Sequence, residues 1–351
     1  MMTDLVARLA TICEGAVASN ETPGGVLLVG RADEFLCEFA FGDRSVDPTI
    51  EPATTDTIYD LASLTKPLVT ATLVMKAVEL GLLNLMEPLS RWLDVANTPL
   101  SEPTPRHLML HVSGLPPGLS APFPETREAY IAAARAFTPE HAPGEVFTYS
   151  DTGFILLGFI LEKAFGETLD LLATRLVFDP LEMTDTAYGV TADRGERCAP
   201  TERVNGSMLR GIVHDPVART IGGIAGHAGV FGTARDLWRY SRMILGRGEL
   251  DGARILAPAV VDRMIAPINV PGGKLRSLGW DVDSQYSSPR GELLDASGVG
   301  HTGFTGTSMW IDPPSGLSII LLTNRVHPSC DGDVVRLRRV VANAVAAAVL
   351  D

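Results

Sequence analysis

Strand-forming patterns lie near the two ends of this 351-residue chain and fade between about residue 63 and residue 190. Gly25-Val-Leu-Leu-Val-Gly-Arg31 and Glu34-Phe-Leu-Cys-Glu-Phe-Ala40 read as a strand pair around a turn at Ala32-Asp33. Far along the chain, Thr302–Ile311 and Leu317–Thr323 read as strands joined by Asp312-Pro-Pro-Ser-Gly316, with proline and glycine where turn chemistry wants them. Between these ends the period lengthens. Helical spacing of apolar residues predicts helices over Ser63–Glu79 (stopping at Gly81), Pro105–His111, Thr126–Phe137, Thr152–Phe165 and Leu169–Leu176. Amphipathic helices are also predicted over Met1–Ala18 and Asp333–Leu350. A sheet drawn from such distant segments must close around the helical insertion. The expected fold is therefore α+β: an antiparallel sheet flanked by N- and C-terminal helices, with an all-helical lobe inserted. One unit, 1–351, is expected to divide into an α/β lobe (1–62 with 191–351) and a helical lobe (63–190).

Charge and composition narrow the partners. The chain is 46% hydrophobic and 20% charged, with a formal net charge of −13 and no basic run to offset it. A polyanionic partner such as nucleic acid is thereby disfavoured. No stretch of 18 uncharged apolar residues occurs, so no membrane span is expected. The first 18 residues lack the basic start and unbroken apolar core of a secretory leader. Cys13, Cys37, Cys198 and Cys330 show no close pairing and no metal-like spacing, which suits free thiols in a cytoplasmic protein.

The chemistry begins at Asp60-Leu-Ala-Ser-Leu-Thr-Lys-Pro-Leu-Val69. Ser63 and Lys66 stand three apart at a helix start and so share a face. A serine hydroxyl needs an adjacent base, and a lysine serves if burial or nearby charge lowers its pKa. Two further polar groups sit at element boundaries: Tyr149-Ser150-Asp151 before a helix, and His301-Thr302-Gly303 opening a late strand. A nucleophile, an amine, a phenol and a strand backbone together would make an acyl-transfer site.

Other polar features have plainer readings. Asp151 also suits the N-cap of the helix beginning at Thr152. His107 and His111 are four apart but lack a third metal ligand, and His214-Asp215 with His227 reads as a hydrogen-bonded wall beside the site. Gly222–Gly229 matches no phosphate or dinucleotide fingerprint and no Gly-x-Ser-x-Gly elbow is present. No metal and no cofactor are called for.

In its motifs the chain resembles the serine β-lactamase and penicillin-binding-protein superfamily, above all the branch holding class C β-lactamases, DD-peptidases and related esterases. That family carries S-x-x-K, Y-x-N and then K-T-G or H-x-G, in this order, matched here by Ser63–Lys66, Tyr149–Asp151 and His301–Gly303. Arg106–Leu115, Val213-His-Asp215, Gly222–Gly229, Gly300–Thr307 and Leu322–His327 also look like family blocks. The resemblance implies acylation of Ser63, proton traffic shared by Lys66 and Tyr149, and an oxyanion held by the backbone N–H groups of Ser63 and Phe304. Asp151, His301, Thr302 and Gly303 would line the substrate. Two departures from the pattern, Asp151 for Asn and His301 for Lys, point toward esters or small amides and away from efficient β-lactam turnover. A penicillin-binding sensor without turnover and a true class C-type β-lactamase are the alternatives.

Overall fold

A computed structural model of the chain describes residues 2–139 and 141–350. Its central sheet has nine antiparallel strands: β1 (Gly24–Arg31), β2 (Phe35–Ser45), β3 (Glu51–Pro52), β4 (Ile268–Val270), β5 (Lys274–Ser277), β6 (Trp280–Asp283), β7 (Val299–Thr302), β8 (Ser308–Asp312) and β9 (Leu317–Thr323). They lie in the order β4-β5-β6-β7-β8-β9-β1-β2-β3, so β1 pairs with β9 from the far end of the chain. The fold is α+β, as the separated strand patterns require.

Side chains of β1 alternate between two cores, following the two-residue period of a strand. Val26 and Leu28 enter a large cluster with Leu68, Phe154, Leu157, Leu237 and Trp280. Leu27 and Val29 face the other way, against Leu5 and Leu9 of the helix Met2–Ala18 and Leu337 and Val341 of the helix Val335–Val349. Both faces of the sheet are thus covered, and every residue of β9 is buried.

Three local expectations need correction. The single helix expected over Ser63–Glu79 is a 3₁₀ turn at Ala62–Leu64, a π-helical stretch at Lys66–Ala71 and an α-helix only from Thr72 to Glu79. Pro67 is the physical reason. It lacks an N–H, and in an α-helix its ring would strike the carbonyl four residues back, that of Ser63. Its own carbonyl accepts from Thr72 Oγ1 (3.0 Å) and Tyr240 Oη (3.1 Å) instead. Likewise, the helix expected over Leu169–Leu176 is α only to Ala173 and continues as a π-helical turn over Thr174–Phe178.

The strand expected over Thr302–Ile311 is two strands. Residues β7 and β8 form a hairpin whose turn spans Gly303–Thr307, closed by Gly303 N–H to Thr307 O (2.7 Å) and Gly306 N–H to Gly303 O (3.1 Å). Gly306 has φ +119°, a conformation few other residues adopt. Gly303 and Gly306 bracket the break as turn-forming residues, a local signal that the single-strand expectation passes over. His301 and Thr302 therefore end a strand where opening one was expected.

The helix Asp151–Phe165 is capped by Ser150, whose hydroxyl accepts from Gly153 N–H at 3.2 Å. The capping role considered for Asp151 falls to its neighbour. Asp151 occupies the first helical position, and its side chain points elsewhere.

Candidate active site

The nucleophile segment is held from below by a buried carboxylate. Asp60 accepts from the backbone N–H of Ala62 (2.9 Å) and of His214 (2.7 Å). Ala62 carries φ +46°, unusual for a residue with a Cβ, and that strain sits one residue before Ser63. The turn between β7 and β8 is tied to the same segment, since Thr305 Oγ1 donates to Asp60 O (2.7 Å) and Thr307 Oγ1 to Leu61 O (3.1 Å). A methyl group at Gly303 would run into Thr307 Oγ1 and the Leu61 carbonyl, so only glycine permits this approach.

Lys66 is fully buried, and its ammonium meets three acceptors. These are Ser63 Oγ at 2.8 Å, Asp151 Oδ1 at 2.7 Å and the His227 carbonyl at 3.3 Å. The ammonium donates to the first and the last of these, and Asp151 faces it as an ion-pair partner. Burial pushes the amine pKa down, but the Asp151 carboxylate and then Tyr149 push it up, and the net direction is up. A resting neutral lysine, the condition set out from the sequence for a base, is therefore not what surrounds Ser63. Tyr149 is also held protonated: burial raises its phenol, Lys66 draws it down, and the balance stays above the ordinary value. Its hydroxyl faces both Ser63 and Lys66.

Two imidazoles flank that phenol. His111 stacks on the Tyr149 ring with centroids 4.4 Å apart, and its Nδ1 accepts from Ser150 N–H at 3.0 Å. The His301 ring lies 6.0 Å from the Tyr149 ring, and its Nδ1–H donates to Thr302 O at 2.9 Å. Burial foremost, with Arg276 and Lys66 adding, holds both histidines well below the usual imidazole pKa. Both are neutral.

The glycine-rich segment 222–229 packs against Lys66 and the helix Asp151–Phe165. Gly226 packs against the helix Asp151–Phe165 at Gly158, and its carbonyl accepts from Thr70 Oγ1 at 2.6 Å. His227 Nε2 lies 2.9 Å from Asp215 Oδ1, so the hydrogen bonding expected from the sequence is present, although neither residue lines the cavity.

Ser63, Tyr149, Asp151, His301, Thr302, Gly303 and Phe304 all line one cavity of about 490 Å³, with Lys66 beneath its floor. Phe304 is 57% exposed at the hairpin tip and stacks on His214, centroids 5.6 Å apart. Arg276, Asp281, Tyr286, Arg325, Asp333 and Arg338 are among the other residues lining it. Arg338 is spent on the carbonyls of Gly303 (3.0 Å) and Thr307 (2.7 Å). Arg276 pairs with Asp281 at 3.0 Å while its Nε and Nη2 stay without hydrogen-bond partners among the described residues.

A family model described as Beta-lactamase matches residues 9–344. The chain belongs to the Beta-lactamase family. It is 27% identical to a putative D-alanyl-D-alanine carboxypeptidase of Escherichia coli O157:H7, over 87% of this chain and 79% of that one. With the N-acetylmuramyl-L-alanine amidase of Bacillus subtilis it shares 29% identity, over 87% of this chain and 78% of the relative. In three dimensions it is similar to a class C β-lactamase from Rhodobacter sphaeroides, with a TM-score of 0.79, 20% identity and 98% and 99% of the two chains covered.

Against that family background, several residues of the site are not marked individually by the sequence. Asp60 was visible only as the start of the Ser63 block, yet it braces Ala62 and His214 together. His111 looked structural beside His107. His107 does belong to a helix cap with Thr104, whereas His111 packs on Tyr149. Arg276 and Tyr286 lie between recognised blocks, and nothing in their neighbours along the chain marks them.

Among the described residues, no helix is long and apolar enough to cross a membrane.

Proposed function

We propose that this Beta-lactamase-family protein is a serine hydrolase that works through an acyl-enzyme on Ser63, acting on small neutral esters or amides with weak or no β-lactam turnover. The observation that carries the reading is the contact of Ser63 Oγ with a buried Lys66 paired to Asp151 at the floor of the cavity. On this reading 1–62 with 191–351 and 63–190 are the two lobes of one catalytic unit, with the cavity between their residues. Four free cysteines support a cytoplasmic location.

Attack requires Ser63 to lose a proton while Lys66 already holds three. Lys66 therefore passes one proton to Asp151 Oδ1 as it receives the one from Ser63, and the total is conserved. Asp151 is then the acceptor and Lys66 the conduit. Tyr149 donates its hydroxyl proton to the departing alkoxide or amine and recovers one from Lys66. The carbonyl oxygen takes up negative charge against the backbone N–H groups of Ser63 and Phe304. Gly303 N–H is already engaged with Thr307 O, so Phe304 is the next amide at the tip. Two such donors supply on the order of 3 kcal/mol each.

A neutral His301 offers no fixed cation to a substrate carboxylate, which favours neutral acyl groups. Arg276 favours a second reading, a D-peptidase, because its two unpartnered guanidinium nitrogens belong to a residue lining the cavity. The experiment is intact-protein mass spectrometry after a fluorophosphonate, a p-nitrophenyl ester and a penicillin, with release of D-alanine from a diacetyl-lysyl-D-alanyl-D-alanine peptide measured alongside. A fluorophosphonate adduct mapped to Ser63 with ester turnover is expected. A stable penicilloyl adduct without any turnover would replace the hydrolase with a sensor, and D-alanine release outpacing ester hydrolysis would replace the ester with a peptide.

A further inference from the structure

Glu202, His214 and Cys330 come from three separate segments, and their ligand atoms lie within 4.8 Å of one another. His214 Nε2 is 3.1 Å from Glu202 Oε1, Cys330 Sγ is 3.2 Å from Glu202 Oε2, and Sγ is 3.9 Å from His214 Nε2. Zinc bonds of about 2.3 Å to sulfur and about 2.0–2.1 Å to nitrogen, set tetrahedrally, hold S and N roughly 3.6 Å apart and N and O roughly 3.3 Å apart. The S···N separation is about 0.3 Å longer and the N···O separation about 0.2 Å shorter than these, and because the sulfur contact is to the other carboxylate oxygen, ligation through one oxygen also asks Glu202 to turn. Thiolate with imidazole and a single carboxylate is a donor set for zinc-class transition ions, and a poor one for calcium or magnesium.

We propose that Glu202, His214 and Cys330 form a three-ligand site for a zinc-class divalent cation, with the fourth position open to solvent. Cys330 is exposed, which gives the ion access, while His214 is buried and fixed. The His214 backbone N–H is held by Asp60 Oδ2, and its ring is stacked on Phe304. Its Nε2 is thus already oriented, and ligation asks for little rearrangement of this ring. Coordination releases the Cys330 thiol proton to solvent as the sulfur–metal bond forms. The ion would tie the segment 324–334 to the two segments bearing Glu202 and His214, behind the Phe304 tip. The site is separate from the hydrolase reading and stands without it.

Cobalt(II) is the probe, because a thiolate ligand gives it an intense sulfur-to-metal charge-transfer band. Metal-free full-length protein is titrated with cobalt(II) and then with zinc(II), with bound metal counted per chain. One ion per chain is expected, with a charge-transfer band that zinc abolishes by displacement. Cys330→Ser should erase the band. His214→Gln and Glu202→Gln should each weaken binding by more than the roughly ten-fold cost of losing an outer hydrogen bond to a ligand. Cys13, Cys37 and Cys198 are buried and remain in every variant, so they serve as the internal control. Because Cys330 is exposed, its serine variant should fold, as circular dichroism would check. A missing band, or a band that survives Cys330→Ser, overturns the proposal, as does zinc binding of equal strength in all three variants.

Discussion

Asp151 Oδ1 lies 2.7 Å from Lys66 Nζ, and this pair sets the charge of the whole cavity floor. A fully buried lysine alone would tend to shed its proton, because desolvation penalises the charged form. Asp151 reverses that tendency, with Tyr149 adding to it. The carboxylate stands where the family pattern has an amide, and an amide could not hold an ammonium in place as strongly.

Ser63→Ala should abolish acyl transfer with the protein still folded, since losing the nucleophile of a serine enzyme costs roughly a million-fold in turnover. The measurement is ester hydrolysis with circular dichroism on the same preparation. Activity above a few per cent of wild type would remove Ser63 from the role.

Lys66→Ala and Tyr149→Phe should each slow acylation by roughly a hundred-fold or more, the usual worth of an acid–base group. Stopped-flow acylation of the double variant should show far less than the product of the two losses, because both groups handle one proton. Multiplying losses would mean that the two act independently.

Asp151→Asn should move the acid limb of the kcat/KM pH profile to higher pH by about one unit or more, because the acceptor becomes an amine in place of a carboxylate. Without Asp151, burial of Lys66 is opposed mainly by Tyr149, so its pKa falls from the raised position it now holds. The variant then runs on the neutral amine, present only above that lowered pKa. An acid limb left in place would exclude the transfer from Lys66 to Asp151.

Ester hydrolysis should exceed nitrocefin hydrolysis in kcat/KM by roughly a hundred-fold, the upper worth of one charge-assisted hydrogen bond that neutral His301 cannot offer. His301→Lys combined with Asp151→Asn should shift the ratio toward nitrocefin. Equal wild-type rates on p-nitrophenyl butyrate and nitrocefin would end the preference, and an unmoved ratio in the double variant would end its electrostatic explanation.

Asp60 and Asp236 should each contribute stability that is lost as pH rises from about 4 to about 6, while the lowered imidazoles of His111, His214 and His301 contribute stability that grows toward their ordinary 6.5. Burial raises the Asp60 and Asp236 carboxyls from 3.8 to about 6 each. A raised carboxyl favours the folded state while protonated, so its contribution is full below the unfolded pKa and lost as pH rises through 6. Each difference of about two units corresponds to at most ~3 kcal/mol. Asp215, held low by His227 against its own burial, acts in the opposite sense, but only at lower pH. Thermal unfolding of wild type, Asp60→Asn and Asp236→Asn across this window is the check. A pH dependence of stability that neither substitution alters would show that these carboxyls do not titrate there.

Periodicity and local spacing determined the larger part of this molecule from the sequence alone. The strand run at Gly25–Arg31, the helix at Thr126–Phe137 (found over Arg127–Arg135) and the three-residue step from Ser63 to Lys66 are all local properties, and each was legible. Three things were decided only by the tertiary structure. The seat of the turn between β7 and β8 is one, because Gly303 is pressed against Leu61 from a segment far back along the chain. The protonation of Lys66 is another, since a pKa answers to the charges around a group in space, and Asp151 arrives from a helix far along the chain. The third is the meeting of Glu202, His214 and Cys330. No spacing pattern can announce that cluster, because its three ligands reach one another only when the sheet has closed.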